Sequence, residues 1–435
     1  MMLTIGIRRE DKNQWERRVP LSPKQVAELI EKHNFAFKVQ PSPIRAYGDE
    51  EYLEIGAQIS EDLSDCDFNI GVKEMPKSIF VEGGKYLFFS HTIKAQPYNM
   101  AMLQDLIDKK CTLVDYERIV DDNNRRLIFF GQYAGLAGMI DSLWALGQRL
   151  EAEGTKTQFL DIKQANGYKT LAAAKDAISA AGEKIKSEGL PSEICPVVFG
   201  FAGYGNVSQG AQDILSRLPV TEITPDELLR LTADNNKSVY KVVFKEKDMV
   251  APKDEDAEFE LQDYYQHPEK YKPSFEKFLP ELTVLMNCIY WEERYPRMAS
   301  KESFKKLYAE NTAKLKVIGD ISCDVEGSLQ CTLRCTDSGK PVYIFDTETG
   351  AEKDAWTGKG PLVLAVDNLP AELAFDSSRV FGAILVDMLP ELAAADYSQS
   401  FENLSLAAHL KRAIIVYRGE LTEEYRYLEK HLHHP

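Results

Sequence analysis

Cys195-Pro-Val-Val-Phe-Gly-Phe-Ala-Gly-Tyr-Gly-Asn-Val-Ser-Gln-Gly-Ala-Gln-Asp-Ile-Leu215 spells a strand, a turn and a helix in succession. The apolar run from Val197 to Phe201 predicts a strand buried on both faces, as in a parallel sheet. Gly203-Tyr204-Gly205 breaks it, and Val207, Ala211, Ile214, Leu215 and Leu218 then recur at helical spacing. That order suits the pyrophosphate of a dinucleotide. Gly203 permits the tight turn and Gly205 lets the backbone approach the phosphates. Tyr204, Asn206 and Val207 complete the cradle at the helix N-terminus. Ser208 replaces the third glycine of the usual fingerprint and is small enough for close helix–strand packing. A glycine turn in some other α/β unit would read the same way, so the rest of the chain has to decide.

The chain has 435 residues, enough for two or three domains with full cores. Its 44% hydrophobic and 28% charged residues are those of an ordinary globular protein. A net charge of -16, with no basic stripe, argues against a nucleic-acid partner. An anionic ligand must therefore find a local cluster of cations. Seven cysteines are scattered without a CxxC pair, which favours free thiols in a reducing cytoplasm over a disulfide framework or a zinc site. No metal site is expected, and His431, His433 and His434 read as a solvated tail. The N-terminus enters a strand with no apolar signal core, and no run approaches the roughly 18 apolar residues of a membrane span. These features predict a cytoplasmic protein.

Working outward, Leu3 to Ile7, Ala36 to Val39, Phe68 to Val72, Tyr86 to Phe89 and Thr112 to Asp115 read as strands. A helix starts at Ser22-Pro23, and another covers Met100 to Ile107. This alternation predicts a parallel sheet with crossover helices, complete near residue 130. Phe130 to Leu150 reads as a long helix connecting two domains. Its Gly135 and Gly138 each cost about 1 kcal/mol of helix propensity, tolerable if another backbone packs very close. A second phosphate loop there is the rival reading. Leu171 to Ile185 is a further helix. Beyond the glycine turn, Val220 to Thr224 reads as the second strand of the dinucleotide unit and Ser238 to Phe244 as another short strand. Leu282 to Tyr290 and Lys314 to Ile321 are buried strands, Gln330 to Phe345 an inserted hairpin, and Leu362 to Val366 a further strand. A long helix over about Phe381 to Ala394 leads back, so that Ala413 to Val416 and a short charged helix complete the first domain.

Several stretches together resemble the lysine-forming saccharopine dehydrogenases. They are Ser90-His-Thr-Ile-Lys-Ala-Gln96, Leu113-Val-Asp-Tyr-Glu117, Phe130 to Met139, Gly203 to Ala211, Pro268-Glu-Lys-Tyr271, Cys288-Ile-Tyr-Trp-Glu292, Asp320-Ile-Ser-Cys-Asp324 and Val366-Asp-Asn-Leu-Pro-Ala371. Within that family the lysine–ketoglutarate reductase domain of the bifunctional lysine-degrading enzyme is the nearer match. Alanine dehydrogenase and the transhydrogenase N-terminal region are more distant. The resemblance runs over nearly the whole chain and implies a free-standing reductase. It implies an alanine dehydrogenase-like fold: two Rossmann-like α/β domains with a cleft between them. Residues 1–130 plus 371–435 would form the substrate domain and residues 131–370 the dinucleotide-binding domain. The implied reaction is reversible: lysine, 2-oxoglutarate and NAD(P)H give saccharopine through an imine that hydride reduces. It implies small-molecule substrates, neither a nucleic-acid nor a membrane partner, and leaves a homo-oligomer open.

The resemblance also implies roles. Lys73, in Gly71-Val-Lys-Glu-Met-Pro76, and His91 match the family's acid–base pair and would line the cleft. Read without the family, Lys73 is an exposed loop lysine and His91 a core histidine, yet both follow buried strands, where α/β sites open. Arg18 matches a carboxylate-binding arginine in a Glu-x-Arg segment, otherwise a surface salt bridge, and Arg126 and Lys94 are weaker carboxylate contacts. Glu74 and Glu117 match acids that tune Lys73 and hold the substrate ammonium. Asp367, Asn368 and Pro370 correspond to a loop closing on the nicotinamide ribose, and Asp324 to an aspartate near the cofactor. An NAD-selective site wants an acid at the tip of the second strand. That position reads as Thr224, with Glu222 two residues earlier and no arginine following, which leaves NAD and NADP open. The resemblance, whose nearest members use NADP, implies a lean to NADP. An alanine dehydrogenase-like enzyme taking another amine and oxo acid is the alternative, and a catalytically silent nucleotide-binding module a third reading.

Overall fold

Short apolar strands separated by capped helices build each of the two compact units into which the chain divides, Met1–Phe130 with Ala374–Pro435, and Gly131–Leu373. The computed structural model describes residues 2–232, 235–309 and 313–432, so His433 and His434 lie outside the described residues.

The first unit contains β1 (Thr4–Ile7), α1 (Pro23–His33), β2 (Ala36–Val39), α2 (Asp49–Glu54), β3 (Gln58–Ile59), β4 (Phe68–Ile70), β5 (Lys85–Phe88), α3 (Pro97–Asp108) and β6 (Thr112–Asp115). Its C-terminal part adds α11 (Ala374–Ala394), α12 (Ala408–Arg412), β17 (Ile414–Tyr417) and β18 (Glu420–Leu421). At the start of α1 the Ser22 amide and hydroxyl both donate to Gln25 Oε1 at 2.8 Å, and Pro23 occupies the first turn, where a missing N–H costs nothing. One sheet in the order β18-β17-β6-β5-β4-β1-β2-β3 results, with β1 to β6 parallel and β17 antiparallel to β6. Alternate residues serve opposite faces. Leu87 and Val114 pack with Val26, Leu29, Phe381 and Leu385, while Tyr86, Phe88 and Leu113 pack with Met100, Leu103 and Leu428. The charged C-terminal segment Glu423–His431 is 3-10 rather than α-helical.

The second unit opens with α4 (Gly131–Ala152) and α5 (Leu171–Glu188), then β7 (Val198–Ala202), α6 (Asn206–Leu215), β8 (Val220–Ile223), α7 (Pro225–Leu228) and β9 (Val239–Phe244). It continues with α8 (Glu246–Met249), β10 (Val250–Pro252), α9 (Leu261–Gln266), β11 (Tyr271–Pro273), β12 (Val284–Asn287), α10 (Lys301–Ala309), β13 (Val317–Asp320), β14 (Val342–Asp346), β15 (Ala351–Lys353) and β16 (Leu362–Leu364). Its main sheet has the order β15-β14-β16-β13-β12-β7-β9-β8, and β10 and β11 form a separate ribbon. Phe199 and Phe201 face a cluster with α4, α5 and α6, whereas Val198 and Ala202 face Phe275, Phe278 and Phe304. Burial on both faces is why these strands carry unbroken apolar runs.

Two expectations need correction here. Gln330 to Phe345 is not a hairpin: only β14 is a strand there, and it pairs antiparallel with β15 and β16, extending the main sheet. Val220 to Thr224 is not the strand next to β7. That place belongs to β9, which pairs with β7 along its length and leaves β8 at the edge. The glycines of α4 do mark a close backbone approach. A Cβ on Gly135 would collide with the Val207 carbonyl, and one on Gly210 with the Gln132 carbonyl, so α4 and α6 are in near contact.

Candidate functional site

Lys73 and Glu74 follow β4, and His91 follows β5, so the parallel pairing of these strands brings all three to one sheet edge. His91 sits at φ 49°, a left-handed conformation a non-glycine residue adopts at a cost, and its ring stacks on Phe89 at 6.0 Å. Its Nδ1 is 2.7 Å from Glu74 Oε1. Burial raises the Glu74 carboxyl, but the hydrogen bond and charge of His91, with Lys12, outweigh it and hold the group at about 2. Glu74 is thus a fixed anion beside the imidazole. The half-buried Lys73 amine is lowered to about 8, first by burial and then by Arg18 and Lys12, against the opposing pull of Glu16 and Glu74. An amine so placed exists in both protonation states near neutral pH.

Glu10, which the sequence reading missed, fixes that turn. Its carboxylate accepts from the Val72 amide at 2.7 Å and the Lys73 amide at 2.9 Å, and burial raises it to about 7 despite Arg8. The only signal in the sequence was its position just past β1. Asp115 is a second buried acid at the same edge: it accepts from the Ser90 amide and hydroxyl and from the Glu117 amide, and burial raises it to about 6.

The arginines are less simple. Arg18 is buried, and its Nε and Nη2 donate to Glu16 at 2.8 and 2.6 Å while its guanidinium lies 4.3 Å from the Phe130 ring. It forms a salt bridge, but an interior one rather than one at the surface. Arg126 pairs with the buried Glu117 and is half exposed. Lys94 is exposed. A cavity of about 720 Å³ in this unit opens among Leu3, Lys85 and Thr112, at the N-terminal ends of β1, β5 and β6, away from Lys73 and His91.

In the second unit, Gly203 has φ 90°, which only glycine adopts without strain, and its N–H donates to Phe244 O at 3.0 Å. Gly205 precedes α6, and a Cβ built on it would meet nothing within 4 Å. The space in front of the turn is open, and Asn206 and Val207 supply the first amides of a ten-residue helix, so these residues fit a pyrophosphate. Ser208 is fully buried and accepts from Gln212 Nε2. Asp324 follows β13, and Asp367, Asn368 and Pro370 follow β16, its parallel neighbour. Cys323 Sγ ties these loops together by bonding Asp320 O and Val366 O at 3.3 Å. Thr224 does not join the group. It caps α7, where its amide and hydroxyl donate to Glu227 Oε2, and it stands two strands out from β7.

The two α/β units give the chain an alanine dehydrogenase-like fold. An L-alanine dehydrogenase structure superposes with a TM-score of 0.63 at 16% identity, covering 99% of each chain. Residues 6–137 match the family model described as alanine dehydrogenase/PNT, N-terminal domain. The resemblance to the lysine-forming saccharopine dehydrogenases and the bifunctional enzyme is borne out. The chain is 42% identical over 444 residues to an alpha-aminoadipic semialdehyde synthase of Arabidopsis thaliana, covering 98% of this chain and 41% of that protein. It is 25% identical to the saccharopine dehydrogenase [NAD(+), L-lysine-forming] of Yarrowia lipolytica, covering 88% of this chain and 90% of that protein. The chain therefore spans about two fifths of the length of the Arabidopsis relative.

Proposed function

We propose that this chain is a nicotinamide-dependent oxidoreductase that joins L-lysine to 2-oxoglutarate and reduces the product to saccharopine, reversibly. The observation that carries it is the Lys73 amine, lowered to about 8, beside the Glu74–His91 pair. The relatives' names support the choice of substrates. Neutral Lys73 takes the proton from the incoming ε-ammonium, freeing the amine that attacks the keto carbon. His91, its charge balanced by Glu74, protonates the carbinolamine oxygen as water leaves and the imine forms. The cofactor, when bound over Gly203 to Ser208, supplies the hydride. Glu10 holds the Lys73 backbone in place. Arg126 and Lys94 meet substrate carboxylates, and Glu117 the α-ammonium. Arg18 is a carboxylate anchor that must share its guanidinium with Glu16. Asp324, Asp367, Asn368 and Pro370 line the nicotinamide end.

In this reading residues 1–130 with 371–435 form the substrate domain and 131–370 the cofactor domain. We place the protein in the cytoplasm, a reading supported by its free thiols, Cys335 among them exposed. Among the described residues no helix is long and apolar enough to cross a membrane. The test is NAD(P)H oxidation with 2-oxoglutarate and a panel of amines. Turnover with lysine is expected, whereas turnover with ammonia alone would replace this reading by an alanine dehydrogenase-like one.

A further inference from the structure

The sheet order moves the recognition of the adenosine ribose to a residue that the sequence did not single out. In an open parallel sheet, the group that meets this ribose stands at the C-terminal end of the strand beside the dinucleotide strand. That strand is β9, not β8. Ala202 pairs with Phe244, the last residue of β9, and the Gly203 amide donates to the Phe244 carbonyl. Lys245 and Glu246 therefore stand level with the glycine turn. Glu246 is held there: its Oε1 accepts from the Tyr265 hydroxyl at 2.7 Å and the Tyr204 hydroxyl at 3.4 Å. Tyr204 itself lies inside the glycine turn, between Gly203 and Gly205. The second carboxylate oxygen, Oε2, accepts no hydrogen bond among the described residues.

We propose that Glu246 accepts the two hydroxyls of the adenosine ribose and turns away a 2′-phosphate, making this chain selective for NAD(H) over NADP(H). The proposal rests on the dinucleotide reading of Gly203 to Ser208 and deepens it. Vicinal hydroxyls are donors, and a carboxylate is the acceptor that can take both. A 2′-phosphate would set two anions against each other next to the turn. The positive charges nearby do not reverse this. Lys245 and Lys247 are exposed, and Lys245 Nζ lies 5.8 Å from the centre of the Tyr204 ring rather than in an ion pair with Glu246. Glu222, on the edge strand, is already paired with Lys241 at 2.8 Å. The lean to NADP rests on the resemblance and not on Thr224; what falls with the strand order is Thr224 as the residue that meets the ribose, and Glu246 beside the turn points to NAD(H) instead.

The test is direct binding of NADH and of NADPH to the intact protein, followed by calorimetry or by nicotinamide fluorescence without substrates. Wild type should bind NADH at least about tenfold more tightly than NADPH, the scale of a hydrogen bond to a charged group. Glu246→Gln should weaken NADH and bring the two affinities together, and Glu246→Ser, which also makes room, should bind NADPH the better. Tyr265→Phe, which frees the carboxylate but keeps its charge, should still discriminate against NADPH. Thermal melting of each variant checks that it is folded. Equal or tighter NADPH binding by wild type, or an unchanged ratio in folded Glu246→Gln, overturns the proposal and leaves the dinucleotide site standing. Failure of wild type to bind either cofactor overturns both.

Discussion

In the proposed function the two units solve opposite problems at the same structural address, the C-terminal edge of a parallel sheet. The first fills it with ionisable side chains: Lys73, Glu74 and His91 at the edge, with Glu10 and Asp115 buried beneath them. The second keeps it nearly bare. Gly203 is there for its φ and Gly205 for the empty space in front of it. A proton-transfer site needs groups whose charge state can change, and burial plus neighbouring charge supplies that. A phosphate site needs fixed backbone donors and room, which any side chain would take away. Substitution should therefore act differently on the two, altering chemistry in one and occupancy in the other.

The largest effect should come from Lys73→Met, a drop in turnover of about 10²–10⁴-fold, the usual worth of a positioned acid or base. NADH affinity should barely move, since Gly203 to Ser208 belong to the other unit. A Lys73→Met enzyme with near wild-type turnover would break the comparison at its first term. In wild type the rate should also rise with pH through about 8, because the neutral amine is the active form and grows in as pH passes the lowered value. That limb should vanish in the variant's pH–rate profile.

Gly205→Leu should come next. Its side chain would occupy the open space and remove most nicotinamide-cofactor binding in a fluorescence titration. Secondary structure measured by circular dichroism should be retained, because nothing lies within 4 Å for the new Cβ to strike. Retained binding would move the cofactor away from this turn. Arg18→Ala should mainly raise the Michaelis constant for 2-oxoglutarate or saccharopine, with a smaller change in turnover. Because the buried Glu16 carboxylate would lose both guanidinium hydrogen bonds, the melting temperature should fall as well, by an amount that Glu16→Gln in the same background partly restores.

The smallest effect sharpens the contrast within the second unit, whose interior is not without acids. Asp141 on α4 and Glu372, three residues after Leu369, are both buried with their carboxyls against one another; Asp141 Oδ1 accepts from the Ala165 amide at 2.7 Å, and a proton shared between the two carboxyls would remove their mutual repulsion. Burial raises both, Asp141 to about 6 and Glu372 well above its ordinary value. Stability from a raised carboxyl is complete below the unfolded value near 4 and is lost as pH climbs through the folded one. Wild type should thus melt at progressively lower temperature as pH rises from about 4 through about 6. Glu372→Gln, which donates without charge, should flatten that decline, and an unchanged profile would exclude the shared proton.

Local order was well written in the sequence. Strand, turn and helix over Val198 to Leu215, the Ser22–Pro23 helix start and the glycines of α4 all follow from periodicity, capping and backbone freedom, which act within a few residues. So did the placement of Lys73 and His91 just past buried strands. What adjacency in sequence could not supply was adjacency in the sheet. β9, with Val239, Tyr240, Val242 and Phe244 buried, lies between β7 and β8, whose residues are all partly or fully exposed, so the strand nearest in sequence is not the neighbour in space. Glu10 beneath Lys73 and Asp141 against Glu372 were hidden for the same reason. A carboxylate's charge state depends on what is packed around it, and that packing joins residues 63 and 231 positions apart, which only the tertiary structure brings together.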